Sequence, residues 1–198
     1  MDVSRFERRP LVVAIAGPNG AGKSTFYSVY LSQSGLEFVN ADVIAAEQQI
    51  GPYEAAAAAE RRRQELLAEK QSFIFETVFS DPAGAKVAFL KTAAERGYEV
   101  VLCFIRLADL ALSQTRVSMR TRQGGHDIPN DKLAARFPRS LNNLRVAIAT
   151  LPNVLVFDNS RLNTPPLLVA EFQNGTALDP AGVPAWLQSL LNPPANPA

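Results

Sequence analysis

Leu11-Val12-Val13-Ala14-Ile15-Ala16-Gly17-Pro18-Asn19-Gly20-Ala21-Gly22-Lys23-Ser24-Thr25 joins an uninterrupted apolar run to a glycine-rich segment. A continuous apolar run of this length predicts a strand buried on both faces, the pattern of a parallel sheet. Gly17 to Ser24 matches G-x-x-x-x-G-K-[ST] at every position, and Thr25 to Leu31 behind it reads as an amphipathic helix. Strand, glycine loop and helix in this order make a phosphate cradle. The glycines let successive backbone N–H groups converge on phosphate oxygens, and the helix N-terminus adds positive potential. Lys23 is placed to reach the β- and γ-phosphates of a nucleoside triphosphate, and the Ser24 hydroxyl to ligate magnesium. ATP and Mg2+ are the expected ligands, with Gly17 through Thr25 as the nucleotide-binding residues.

Working outward, similar apolar runs recur at Leu36 to Val39, Phe73 to Phe79, Tyr98 to Ile105 and Val154 to Phe157, with helix-length segments between them. That alternation predicts an α/β fold around a central, mostly parallel, five-stranded sheet. The longest helical candidate in the sequence is Glu54 to Lys70, beginning just after Gly51-Pro52. Its Arg61-Arg62-Arg63 triplet reads as a solvated face, with Arg61 and Glu65 as a reversed i,i+4 pair. Asp81-Pro82 reads as the opening of a helix that closes near Gly97, proline taking the first helical position. Asp109 to Arg122 reads as another helix, followed by the loop Gly124-Gly125-His126-Asp127-Ile128-Pro129. Beyond it Arg136 and Arg139 share a helical side on which Pro138 imposes a kink or restart. One domain is expected over residues 1–185, with 186–198, rich in proline at its end, as a tail.

The bulk numbers are those of an ordinary globule. At 198 residues, 47% hydrophobic and 20% charged, the chain can bury one sizeable core. A net charge of +1 argues against a general nucleic-acid coat but leaves room for a small anionic substrate. The polar stretch Met1 to Pro10 leads into too short an apolar run for a secretory signal, and the expectation is a cytoplasmic protein with neither membrane nor nucleic-acid partner. Cys103 is the single cysteine and reads as a buried strand residue.

In open α/β sheets ligands bind beyond the carboxyl ends of strands, so carboxylates just past an apolar run are candidates for chemistry. Asp42, after Val39-Asn40-Ala41, could accept the proton of an attacking hydroxyl; equally it, or Asn40, could cap the helix that begins there. Glu76 lies in an otherwise aromatic and aliphatic strand. Burying an unpaired carboxylate costs several kcal/mol, so Glu76 should have a specific partner: a substrate hydroxyl, a magnesium-bound water or an arginine. Arg116 and Arg120, one turn apart, repel unless an anion lies between them, and a triphosphate would supply one. With Arg136 and Arg139 they suggest a mobile, arginine-rich helical lid. The wording of the phosphate loop also suits transporter-type ATPases, but those carry Ser-Gly-Gly-Gln and a strand ending in Asp-Glu. Here Gln123 precedes Gly124-Gly125 and Asn159 follows Asp158.

The ordered set is more specific than its parts. Gly-Pro-Asn-Gly-Ala-Gly-Lys-Ser-Thr, then Val39-Asn40-Ala41-Asp42, then Phe75-Glu76-Thr77, Arg116, Gly124-Gly125-His126 and Arg139-Ser140-Leu141 resembles the zeta toxin family, in its compact single-domain branch, from about Leu11 to Gly175. The resemblance implies a nucleoside-kinase-like P-loop fold, ATP-dependent phosphorylation of a sugar hydroxyl of UDP-N-acetylglucosamine, and a small antitoxin protein that covers the cleft. Carried over by position, Asp42 becomes the general base and Glu76 a substrate-binding or metal-organising carboxylate, acting on magnesium with Ser24 either directly or through water. Lys23, Arg116 and Arg120 serve the transferred phosphate, while Thr77, His126, Arg136 and Arg139 bind substrate. Where the family's lid has a second arginine this chain has His126, leaving Arg120, Arg122, Arg136 or Arg139 to replace it. Kinases for another acceptor (a dinucleotide, nucleoside or antibiotic) and a partner-coupled ATPase remain the alternatives.

Overall fold

In the computed structural model, which describes residues 6–124 and 128–192, the apolar run ahead of the phosphate loop is strand β1 (Leu11–Ala16), buried throughout. It lies between β3 (Phe73–Thr77) and β4 (Glu99–Arg106), parallel to both. Outside these, β2 (Glu37–Val39) pairs parallel with β3, and β5 (Asn153–Asp158) parallel with β4. The five expected strands are therefore all present. Two more extend the sheet: β6 (Leu167–Gln173) runs antiparallel to β5, and β7 (Thr176–Ala177) antiparallel to β6, giving the order β2-β3-β1-β4-β5-β6-β7. The central strands read clearly because both of their faces are buried. β6 does not, because most of it is only half buried.

The helices are α1 (Lys23–Tyr30), α2 (Ala41–Gln48), α3 (Pro52–Ala68), α4 (Ala85–Glu95), α5 (Leu110–Arg122), α6 (Asn130–Thr150) and α7 (Ala185–Leu191). On one face of the sheet Val12, Phe73, Phe75, Leu102, Phe104 and Val154 pack under Leu66 and Leu67 of α3, Leu90 of α4, Leu144 and Ile148 of α6 and Leu187 of α7. On the other, Val13, Ile15, Ile74, Val101, Ile105 and Leu155 pack with Phe26 of α1, and Cys103 is buried among them as expected. Alternate strand residues thus feed two apolar layers, the requirement for a parallel sheet covered on both sides.

Four local expectations are corrected. Asp81 does not open α4. Its carboxylate accepts from the backbone N–H groups of Ala85 and Lys86, which leaves Pro82 in the turn ahead of the helix and Gly84, at φ 68°, as the N-cap. Pro138 does not restart a helix: α6 runs unbroken through it. Nearby carbonyls find side-chain donors, Arg139 Nε to Ala135 O at 2.7 Å and Ser140 Oγ to Phe137 O at 2.8 Å. Arg63 of the arginine triplet is buried, 4% exposed, whereas Arg62 pairs at the surface with Glu37 and Glu65. Finally, the tail boundary at residue 186 falls inside α7, whose Leu187 is fully buried; the packed structure continues to Leu191. Among the described residues no helix is long and apolar enough to cross a membrane.

Candidate active site

The phosphate loop runs from β1 into α1 and is clamped on both sides. Gly17 adopts φ 144°, and a Cβ there would lie 2.2 Å from the Ile105 carbonyl oxygen at the end of β4, so only glycine fits. At Gly22, with φ 85°, a Cβ would lie 2.7 Å from Asn159 Nδ2. That same amide, just past β5, donates to the Ala21 carbonyl at 2.8 Å. From α5 the Ser113 hydroxyl donates to the Asn19 carbonyl at 2.7 Å. The loop conformation is thus set by residues about a hundred positions away.

Lys23 is only 6% exposed; its Nζ donates to the Pro18 carbonyl at 3.2 Å and lies 3.8 Å from Glu76 Oε1. Burial holds its pKa below the ordinary 10.5, the nearby Arg120 lowers it further, and the carboxylates of Glu76 and Asp42 act in the opposite direction. The other Glu76 oxygen, Oε2, accepts from Ser24 Oγ at 2.8 Å and from Asn40 Nδ2 at 3.0 Å. Glu76 does have specific partners, but they are a serine, an asparagine and a lysine rather than an arginine. Asn40 is also the N-cap of α2, its Oδ1 accepting from Asp42 N at 2.7 Å and Val43 N at 3.4 Å. With Asn40 doing the capping, the Asp42 side chain is left exposed in the first turn of α2.

Beside this cluster opens a cleft of about 560 Å³. Glu76 and Thr77 line it from the end of β3, Asp42 from the first turn of α2, Arg63 from α3, Lys86 from α4, and Asp131, Lys132, Arg136 and Arg139 from α6. Expected acceptor-side residues Glu76, Thr77, Arg136 and Arg139 therefore meet at one site with Asp42. The backbone around Thr77 is held under strain: Phe79, buried, sits at φ 60°, a costly conformation for a bulky residue. Its N–H is taken by Thr77 Oγ1 at 3.1 Å, and its carbonyl, like that of Asp81, by Asn143 Nδ2 of α6 at 3.0 Å.

Arg116 lies on the other side of the phosphate loop. It lines a second cleft, of about 420 Å³, with Gly20, Gly22, Thr25, Asn159 and the segment from Arg161 to Pro166. Burial lowers its pKa, and its Nη2 donates to the Arg161 carbonyl at 3.4 Å. Arg120 is close enough to perturb Lys23, Arg122 is exposed at the end of α5, and His126 lies outside the described residues. Sequence reading missed three contributors to these clefts: Asn159, Lys86 and Arg63. For Arg63 a signal existed, since Ala55, Ala59, Arg63, Leu66 and Leu67 form one helical stripe, all of it buried.

The model of the family described as Zeta toxin matches residues 37–164. No curated protein sequence matches the chain. Among solved structures, the AvrRxo1-ORF1:-ORF2 complex with ATP aligns at a TM-score of 0.71 and 17% identity, over 98% of this chain and 67% of that one. A chain of the PezAT chromosomal toxin–antitoxin system of Streptococcus pneumoniae aligns at 0.64 and 15% identity, over 96% and 81%. A chain of the Pnkp1/Rnl/Hen1 RNA repair complex aligns at 0.56 and 15%, over 70% and 46%. At these identities the likeness is one of fold. The matched span begins after the phosphate loop, so residues 17–24 and the family model are separate lines of observation.

Proposed function

The chain belongs to the zeta toxin family, and from that premise we propose that it transfers the γ-phosphate of ATP to a hydroxyl group of a small-molecule acceptor. The observation that carries this reading is the Lys23–Glu76–Ser24–Asn40 cluster at the phosphate loop, opening directly onto a cleft that Asp42 also lines. A partner-coupled ATPase needs no second cleft there with a carboxylate at its mouth; a kinase does.

The residues divide by role. Gly17 to Thr25 hold the triphosphate, with Lys23 balancing charge on the transferred group. Arg116 of α5 reaches it from the side of the loop opposite the acceptor, and Arg120 of the same helix, close enough to act on Lys23, assists. In the acceptor cleft, Thr77 and the guanidinium groups of Arg136 and Arg139 orient the substrate, and Asp42 takes the proton of its hydroxyl. The acceptor oxygen bonds to the γ-phosphorus, the bond from that phosphorus to the β-phosphate oxygen breaks, and ADP leaves. The serine hydroxyl and carboxylate that meet at Ser24 and Glu76 suit Mg2+, Glu76 acting through water, and the ion would neutralise charge on the β- and γ-oxygens. Positioning and electrostatics supply most of the acceleration in such transfers.

For the acceptor, the resemblance favours UDP-N-acetylglucosamine, phosphorylated on a sugar hydroxyl, and a toxin role with a small antitoxin protein covering the cleft. A need for ATP is what supports a cytoplasmic setting for the reaction. Mass spectrometry of the product from UDP-N-acetylglucosamine and Mg-ATP is the direct test: one added phosphoryl group is expected, lost in Asp42→Asn. An unmodified sugar nucleotide overturns this acceptor and calls for a screen of other hydroxyl compounds. Rapid ATP turnover without any acceptor, unchanged by Asp42→Ala, would overturn the kinase itself.

A further inference from the structure

The wall of the acceptor cleft contains a three-residue ionic assembly that the mechanism above does not use. Glu60 of α3 binds two cations at once through Oε2, Arg63 Nη2 on its own helix and Lys86 Nζ on α4. Arg63 is 4% exposed, its guanidinium lies 5.1 Å above the Phe75 ring, and its Nε is buried without a hydrogen-bond partner. Lys86 is 23% exposed and lines the cleft, as does Arg63. Burial alone would raise the Glu60 pKa, but the hydrogen bonds and charges of Lys86 and Arg63 outweigh it and bring the value down to about 2. The carboxylate is therefore ionised at any physiological pH, and the assembly carries one net positive charge.

The other charges facing this wall show what the surplus is for. Asp81 is committed to the first turn of α4, and Glu76 to Lys23, Ser24 and Asn40. From α6, Arg136, Arg139 and Lys132 face the same space, with Asp131 the one acidic neighbour on that helix. Cations thus converge from three helices, α3, α4 and α6, on the same cleft that Asp42 lines from the first turn of α2. We propose that Lys86, held in place by Glu60 and through it by the buried Arg63, is a specificity-determining residue that binds an oxyanion at the non-reacting end of the acceptor. Arg63 acts as a positioning residue: stacked on Phe75 and closed off from solvent, it fixes Glu60, which fixes the direction of the lysine ammonium. This rests on the kinase reading above.

The test uses full-length protein. If UDP-N-acetylglucosamine is phosphorylated, Lys86→Ala raises its KM about tenfold, with kcat and the affinity for a non-hydrolysable ATP analogue within twofold of wild type; Lys86→Arg restores most of the KM. Arg63→Met raises the same KM without moving ATP-analogue affinity. An unchanged KM in Lys86→Ala, or a parallel loss of ATP-analogue affinity, overturns the proposal. If no sugar nucleotide is phosphorylated, the acceptor assignment fails but this inference is still decided. Inorganic pyrophosphate is then titrated calorimetrically into protein saturated with the Mg-bound ATP analogue. Second-site binding that weakens about tenfold in Lys86→Ala supports the proposal; no binding, or equal binding by wild type and variant, overturns it.

Discussion

Lys23 is a cation that the fold buries before any phosphate is bound, and burial works against its charge. Glu76 offsets that cost only in part, because it is shared with Ser24 and Asn40. On the proposed reading a triphosphate completes the balance, and Lys23 is kept for its ligand rather than for stability. Lys23→Ala is expected to lower the rate of phosphoryl transfer by about 10²–10³-fold, read from product formation under saturating ATP, while denaturation shows no loss of stability. Lys23, Ser24, Asp42 and Glu76 were legible because each follows an apolar run at a strand end, where short-range pattern and chemistry coincide. Arg63 was not. Three consecutive arginines suggest solvent, and the argument from charge overrode the helical stripe that runs from Ala55 to Leu67 and carries this one inward. The alternative cap for α2 was settled only by geometry, because Asn40 and Asp42 are equally good capping residues in sequence.

Two elements meet the site through devices that sequence shows only in part. Helix α6 carries Arg136 and Arg139 on either side of Pro138 and accepts the proline without breaking. A proline inside a helix costs about 3 kcal/mol relative to alanine, so Pro138→Ala should stabilise the protein by about 1–3 kcal/mol, raising Tm by about 2–4 °C per kcal/mol. Thermal unfolding measures this directly. The tie between α3 and α4 through Glu60 gives a second expectation. Because the folded pKa of Glu60 is lowered from 4.5 to about 2, its contribution is complete above 4.5 and is lost as pH falls through that interval. Chemical denaturation should find wild type more stable than Glu60→Gln at pH 7, the difference closing between pH 4.5 and 2. The β6–β7 hairpin shows the limit of reading elements from pattern. Lying at the sheet margin, β6 lacks the two-sided burial that announces β1, β4 and β5.

At the scale of the molecule, the sheet puts β1 and its loop between the two clefts, so on the proposed reading donor and acceptor approach the transferred phosphate from opposite sides. Both clefts are built from sequence-distant segments, which explains why the sequence named residues for each but could not say which residues faced which. Arg116 and Arg136 both read as lid arginines, yet they line different clefts. If Mg-ATP binds the assembled loop as proposed, at one hundred times its Kd it should stabilise the protein by about 2.7 kcal/mol, measurable as a shift in the denaturation midpoint and absent in Lys23→Ala. The fastening of Ala21 by Asn159 has a consequence for synthesis. At about 5–20 residues per second, a ribosome adds Asn159, whose amide fixes the loop, only after a further 138 residues beyond Ala21. A growing chain that has not reached Asn159 therefore carries the motif without the amide that fastens Ala21.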